Sequence, residues 1–332
     1  MKQILIAITL LILAESPLNA GYIETSSIII PWGNSPDQLK FSEPTFNINS
    51  PDSSDMYVEH GRGPNKSFVD NNNNIILSSY DFREIKGFMQ SGELLFSFTK
   101  DDLGNFDEIC GEQPSQIYVD SQLHLYILSF PEYPYISVVD YEGKLVEKIY
   151  PFADTINTLI NSMNWSPDGH VYFNSQNNGW VAYYNGVLTR SGCLGTLASN
   201  GFFYTAYHDE DYPHTLFIGK FADVDSFGNP GYKYVKSIEL NMGVCDTLYY
   251  ADEIPGGDGS KVYVLAVIDS CETGYNMIWE YDLDFNLLDQ LRFPSDEDPY
   301  IDSPGPFIGS DGSIYEFRAL DDGLHVIKWT KQ

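Results

Sequence analysis

The chain has 332 residues, with 18 Lys and Arg against 47 Asp and Glu, a formal net charge of −29. That balance excludes a nucleic-acid binder, because phosphate contacts need clustered Lys and Arg. An apolar fraction of 43% with 15% aromatic residues excludes a disordered chain, and the length allows two ordinary domains or one large all-β domain.

In chain order, residues 1–20 read as a secretory signal. Lys2 supplies a positive start, residues 4–14 an apolar stretch, Ser16-Pro17 a break, and Leu18-Asn19-Ala20 a small residue at the cleavage point before Gly21. The apolar stretch is shorter than the roughly 20 residues of a spanning helix, and the competing reading is an uncleaved N-terminal anchor. No Cys follows it to carry a lipid, and no later segment is long and apolar enough to span a bilayer. Residues 21–332 are therefore expected to be a single soluble domain with no membrane span, in a periplasm or outside the cell. There Cys110, Cys193, Cys245 and Cys271 would form disulfides, with three pairings open. The absence of a Cys-x-x-Cys pair removes a zinc ribbon.

Short runs rich in Val, Ile, Tyr, Phe and Leu follow, separated by Gly, Pro and paired polar residues about every ten positions. One phrase recurs: an apolar pair, a tight polar turn, a second apolar strand. It appears at Phe68-Val69-Asp70, at Tyr118-Val119-Asp120 and at Trp165-Ser166-Pro167-Asp168. It returns in degenerate form at Leu197-Ala198-Ser199-Asn200, stretched through Gly256-Gly257-Asp258-Gly259, and last at Phe307-Ile308-Gly309-Ser310-Asp311. The gaps between the turn markers average about 48 residues, a spacing of periodic β-repeats. Each unit has a second turn, such as Gln90-Ser91-Gly92-Glu93, Tyr141-Glu142-Gly143-Lys144, Asn185-Gly186 or Asp284-Phe285-Asn286. Six units of four antiparallel strands, a to d from the axis outward, make an all-β, six-bladed β-propeller. The last unit stops after its third strand, and residues 26–30 supply the fourth, so that the N-terminal strand completes the last blade and closes the ring. A closed ring needs no partner subunit, and a monomer is expected.

The phrase from Phe68-Val69-Asp70 to Asn74-Ile75, followed by Ser91-Gly92-Glu93-Leu94-Leu95, resembles the NHL-type six-bladed propellers. Trp32-Gly33-Asn34-Ser35-Pro36 through Gly63-Pro64 resembles the start of exported bacterial members of that group. The resemblance is clearest in the first two units and departs in the fourth, which is short at its start, and the fifth, which carries insertions, so that seven blades, or six with one poor blade, stay open as alternatives. It implies a fold and no chemistry.

This topology sorts the connections to two faces. Tight a–b and c–d turns share one; the loops entering strand a and joining b to c share the other. The longer, varied loops make the second face the expected binding surface. Cys245 precedes strand a of the fifth unit and Cys271 follows its antiparallel neighbour, which predicts a Cys245–Cys271 disulfide. Elimination would then pair Cys110 with Cys193, across the mouth of the channel, which counts against that bond. His208, Asp209, Glu210, Asp211 and His214 form an acidic loop with the ligand types of a metal site, Ca²⁺ on carboxylates or a transition metal on the histidines. No spacing there matches an established metal loop, so a solvated loop of an acidic protein is the plainer expectation. Asp223-Val224-Asp225-Ser226-Phe227-Gly228 mimics the start of a calcium loop, but Phe227 stands at a ligand position, and an ordinary c–d turn is expected.

No Gly-x-Ser-x-Gly, His-Glu-x-x-His or Walker loop is present. His60 and Arg62 precede the innermost strand of the first unit and could pair a base with a cation, against the plainer reading of a Gly- and Pro-shaped loop. Tyr133, Tyr135, Trp180 and Tyr212 lie near b–c loops, where they could stack on a sugar or peptide. Two functions follow. The first is an exported non-catalytic propeller binding a protein, peptide or glycan through its long-loop face. The alternative is a divalent-metal-dependent enzyme, lactonase-like hydrolase or lyase, as propellers similar in architecture include; their ligand residues match none here one by one. A structural or sensory envelope component is a third reading, which sequence does not separate from the first.

Overall fold

An aspartate at the head of a hairpin explains most of the local structure. The Asp70 carboxylate accepts the N–H groups of Asn72 and Asn74, both at 2.8 Å, which bends the chain back on itself. Asp120, Asp140, Asp225 and Asp282 do the same for the residues two and four positions on. Asp168, Asp258 and Asp311 bond the N–H two positions on. The recurring aspartate of the sequence pattern is thus a turn residue. The apolar pairs on either side continue outward as antiparallel strands.

The computed structural model describes residues 21–42, 45–48, 56–59, 63–79, 81–99, 106–109, 113–130, 134–152, 158–209, 211–212, 214–231, 234–241, 246–269, 274–294 and 304–332. They build six four-stranded antiparallel blades in a ring. Blade 1 runs through strands Lys66–Val69, Ile75–Ser79, Glu84–Phe88 and Leu94–Thr99. Blade 2 comprises Gln113–Val119, Leu125–Phe130, Ile136–Val139 and Leu145–Ile149, and blade 3 Ser162–Trp165, Val171–Ser175, Gly179–Tyr184 and Val187–Arg190. Blade 4 comprises Thr196–Leu197, Phe203–His208, Thr215–Phe221 and Tyr234–Asn241, and blade 5 Thr247–Ile254, Lys261–Asp269, Tyr275–Asp282 and Leu287–Pro294. Blade 6 takes Phe307–Ile308, Ile314–Leu320 and Gly323–Lys331 from the C-terminal segment and Tyr22–Pro31 from the N-terminal one. Tyr22 pairs with Lys331 and Pro31 with Gly323, as the missing-strand argument requires. Outside the blades lie a hairpin of Thr45–Ile48 with Met56–Glu59 and a single helical turn, Phe106–Ile109. Among the described residues no helix is long and apolar enough to cross a membrane.

Burial falls from the axis outward. Strand b of blade 1 is buried at every position, while strand d of blade 3 is exposed at every position. Apolar clusters fill the seams between neighbouring blades. Tyrosine hydroxyls then stitch blade to blade. Tyr141 donates to Asp70 at 2.6 Å, Tyr183 to Glu147 at 2.8 Å, Tyr204 to the Leu283 carbonyl at 2.8 Å and Tyr315 to Asn73 at 3.0 Å. This accounts for many tyrosines at once: the ring packs between sheets and the hydroxyl finds a partner across the seam. At the closing seam Glu280 is fully buried, held by Lys261 at 2.7 Å, Lys331 at 2.9 Å and the Tyr22 hydroxyl at 2.5 Å. Burial alone would raise its carboxyl. The hydrogen bonds from Lys261, Tyr22 and Lys331 outweigh that and hold it below the usual value.

The calcium-loop mimic is a c–d hairpin, with Val224 pairing Pro230, and the glycine-rich stretch 256–259 is the a–b turn of blade 5, followed by a strand.

Candidate functional site

The innermost strands end, at the turn face, in aromatic residues. Phe68, Tyr118 and Phe307 occupy equivalent positions in blades 1, 2 and 6, two residues before the position that opens each a–b turn. Trp165 of blade 3 stands one residue later in its own strand. Their rings meet: Phe68 lies 5.4 Å from Tyr118, 5.5 Å from Trp165 and 4.8 Å from Phe307, and Tyr118 stacks on Trp165 at 5.5 Å. A cavity of about 600 Å³ opens around this cluster and extends outward along the seam between blades 2 and 3. Its size is that of a small-ligand site. The wall is completed by Asp120, His124, Tyr126, Glu147, Asp168, Tyr183 and Tyr184, and by the turn residues Gly256 and Gly257.

Charge in this cavity is one-sided. Asp120, Glu147 and Asp168 line it, and among the described residues no Lys or Arg does. Asp120 lies 3.3 Å from His124, and Asp168 accepts from Ser166 at 2.5 Å and lies 2.9 Å from His170, whose ring stacks on Tyr184. Burial works against the ionised form of Asp168, but the hydrogen bonds from Ser166 and His170 more than offset it, and the carboxyl sits below its ordinary value. The tyrosines move the other way. Burial, then the charges of Asp120 and Asp168, pushes Tyr118 up. Burial, with the hydrogen bond to Glu147 behind it, pushes Tyr183 up to about 12. These hydroxyls stay protonated and serve as donors, beside carboxylates that can only accept.

A second axial chamber of about 340 Å³ lies toward the loop face, lined by Lys66, Gln116, Met163, Asn164, Thr196, Asp252 and Glu253, with Trp165 common to both chambers. Burial, then the neighbouring Asp252, pushes the Glu253 carboxyl up to about 7, against hydrogen bonds from the Ala206 N–H and the Thr205 hydroxyl. Gly195 beside it has a positive φ of 68°, and a Cβ there would stand 2.1 Å from the Tyr204 carbonyl oxygen and 2.6 Å from the Glu253 carboxylate, so only glycine fits.

Only some of the residues expected to form a site fall among the described residues. His60, Arg62, Tyr133, Glu210, Cys110, Cys245 and Cys271 lie outside the described residues, and the Cys245–Cys271 bond with them. Cys193 is a buried free thiol, and the Cys110 weighed as its partner is outside the described residues. It faces Asn164 and the Gly195 carbonyl at the start of blade 4, and burial pushes it up to about 12. Asp209 caps its own turn by accepting the Asp211 N–H, and the His214 ring nitrogen lies 2.7 Å from the Asp246 carbonyl oxygen. Among the described residues no three His, Cys, Asp or Glu side chains group to hold a metal, and His208 ends its strand. Trp180 is half-buried under the c–d hairpin of blade 4, its N–H donating to the Ser226 carbonyl. Tyr135 packs against Tyr150 and Lys148 on blade 2. Tyr212 is exposed and meets Phe217 edge-on. The aromatic ends of the inner strands, missed as site residues, were visible in the repeated phrase itself, at Phe68, Tyr118, Trp165 and Phe307.

No family model matches the chain, and no curated protein matches it. Solved structures do. A streptogramin B lyase is 12% identical, with 90% of this chain and all of that one covered and a TM-score of 0.43. A member of the DUF4221 family from Bacteroides vulgatus is 10% identical over 95% of this chain and all of that one, with a TM-score of 0.46. A calcium-binding protein, regucalcin, from Agrobacterium tumefaciens is 14% identical over 81% of this chain and 91% of that one, with a TM-score of 0.41. At these identities and scores none of them bears on what this chain binds or converts.

Proposed function

We propose that the protein is an exported, non-catalytic propeller that binds a protein, peptide or glycan partner, and that it does so through the axial cavity on the turn face and not through the long-loop face. The observation that supports this is the cavity itself. It is large enough for a ligand group, floored by four aromatic side chains in mutual contact, and ringed by oriented hydroxyl donors and carboxylate acceptors. Its carboxylates hold turns or meet tyrosine and histidine. The chemistry of the alternative, a divalent-metal enzyme, would need oxygen or imidazole ligands converging from several blades, and the described residues offer no such group.

The test uses the purified protein on peptide and glycan arrays, with Trp165→Leu as the cavity variant, alongside a panel of lactones and esters assayed for turnover with and without Ca²⁺. Binding to one ligand class, lost in Trp165→Leu, with no turnover, is the expected result. Turnover of a lactone or ester, or array binding that Trp165→Leu leaves intact, would overturn the reading. Tyr184→Ala, half-exposed at the cavity wall, serves as a second variant if Trp165→Leu fails to fold.

A further inference from the structure

We infer that the group held in the axial cavity is cationic, the ammonium or guanidinium of a basic peptide. The inference rests on the cavity being the binding site and names what fills it.

The first argument is the protein's own treatment of carboxylates. Elsewhere several buried and half-buried carboxylates are matched with Lys or Arg, Glu84 with Lys86, Glu280 with Lys261 and Lys331, Asp311 with Lys328 and Glu316 with Arg318, while Asp70 and Glu253 are held by N–H and hydroxyl donors. The three that line the cavity are not matched with Lys or Arg. Among the described residues Asp120 meets only the imidazole of His124 as a basic group, Asp168 only that of His170, and Glu147 only the neutral hydroxyl of Tyr183. Asp120 and Asp168 both act on the Tyr118 hydroxyl, and Asp120 and Glu147 both act on those of Tyr126 and Tyr183, so all three surround one group of tyrosines. A ligand cation would supply the countercharge that Lys261, Lys331, Lys328 and Arg318 supply to Glu280, Asp311 and Glu316.

The second argument is the wall. A metal ion takes a shell of oxygen ligands, whereas this cavity presents the rings of Trp165, Tyr118 and Phe68 within about 5.5 Å of one another. Aromatic faces beside carboxylates suit an organic cation, which the ring quadrupole attracts and the carboxylates neutralise. The third is the way in. Val146 and Tyr184, 50% and 41% exposed, line the outer end of the cavity. Val187, paired with Tyr184 and 59% exposed, extends this exposed apolar surface onto the outermost strand of blade 3. A cationic side chain flanked by apolar residues matches a charged pocket with an apolar approach; a polyamine or a free metal does not use the approach.

The test measures binding to the full folded protein, by calorimetry, of a capped octapeptide of alternating Lys and Leu. The same peptide with Gln for Lys, a neutral hexasaccharide, spermidine and Ca²⁺ are the comparisons. Asp120→Asn and Glu147→Gln keep the turn and the tyrosine hydrogen bond while removing charge, and Asp284→Asn, on an exposed turn of blade 5, is the charge-matched control. The expected result is about tenfold tighter binding of the Lys peptide than of the Gln peptide or spermidine, weakened about tenfold by either cavity variant and unaffected by Asp284→Asn. If the Gln peptide or the hexasaccharide binds as well, and the cavity variants do not matter, the cavity takes neutral ligands: the inference fails and the binding function stands. Lys-peptide binding that all three variants weaken alike is attraction to the acidic surface at large, and overturns it. Spermidine binding as tightly as the peptide overturns the peptide assignment, and Ca²⁺ binding lost in Asp120→Asn assigns the carboxylates to a metal. No binding of any probe overturns the inference and the cavity reading together.

Discussion

A single aspartate type does two jobs in this molecule, and the difference lies in what surrounds it. Asp70 is buried, holds its hairpin through two N–H groups and receives the Tyr141 hydroxyl from the next blade. Asp70→Ala should therefore cost about 2 kcal/mol, since it strands the part-buried N–H groups of its turn and the Tyr141 hydroxyl together, and Tyr141→Phe about 1 kcal/mol; chemical denaturation of both variants checks the order. Exposed Asp225 makes similar turn bonds, among the described residues with no partner from another blade, and Asp225→Asn should leave the denaturation midpoint close to that of the parent. Two buried glutamates give opposite pH dependences. Glu253 is pushed up to about 7 from an ordinary 4.5, so the stability it contributes is present below about pH 4.5 and is lost as pH rises toward 7. Glu280 is held down by its lysines, so its contribution is present above about pH 4.5 and is lost on acidification. Thermal melts of Glu253→Gln should lose the decline of stability between about pH 5 and 7, and those of Glu280→Gln should lose part of the acid-side fall. The Asp-led turns were legible in the sequence because turn chemistry is local. The raised Glu253 was not, because its environment comes from Asp252, Thr205 and Ala206 meeting across two blades.

At the scale of the element, the strand Tyr22–Pro31 is the one whose partner is distant in sequence. It pairs along its whole length with Gly323–Lys331, and its Tyr22 hydroxyl and the Lys331 ammonium converge on Glu280. A chain beginning at residue 33 leaves that C-terminal strand as an open edge carrying Val326 and Leu324, and open apolar edges self-associate. Size-exclusion chromatography should show the truncated chain as larger oligomers than the parent forms, and a peptide of residues 21–32 added during refolding should restore the parent's elution volume. This closure was legible by counting, since one unit lacked its fourth strand and an unassigned apolar strand stood at the other end. The hairpin of blade 4 that covers Trp180 was not: a c–d turn reads the same whether it points to solvent or folds back on a neighbouring blade.

The whole molecule carries a formal charge of −29 on one ring. Like charges at that density repel and oppose compactness, so the melting temperature should rise as NaCl increases from about 20 to about 500 mM, where the screening length falls below the spacing of surface charges. The same salt should weaken the Lys peptide at the axial cavity, which separates stabilisation from binding in one series. The cavity is also where sequence reading stopped short. The aromatic residues ending the inner strands stood in plain view in the repeat, but their convergence exists only once six blades share an axis, and long loops drew attention to the opposite face. What periodicity conveys is how many units there are; which side chains the axis gathers is set by closure.

That closure also ties the survival of the ring to one strand pair. The two strands come from distant parts of the sequence, Tyr22 pairing with Lys331 and Pro31 with Gly323, and Gln332 donates its N–H to the carbonyl of Gly21. A ring in which this pair comes apart loses the Tyr22 and Lys331 contacts to Glu280, two of the three that hold it, and presents an unpaired edge to proteases. Seating these two strands and resisting degradation are, in this ring, the same event.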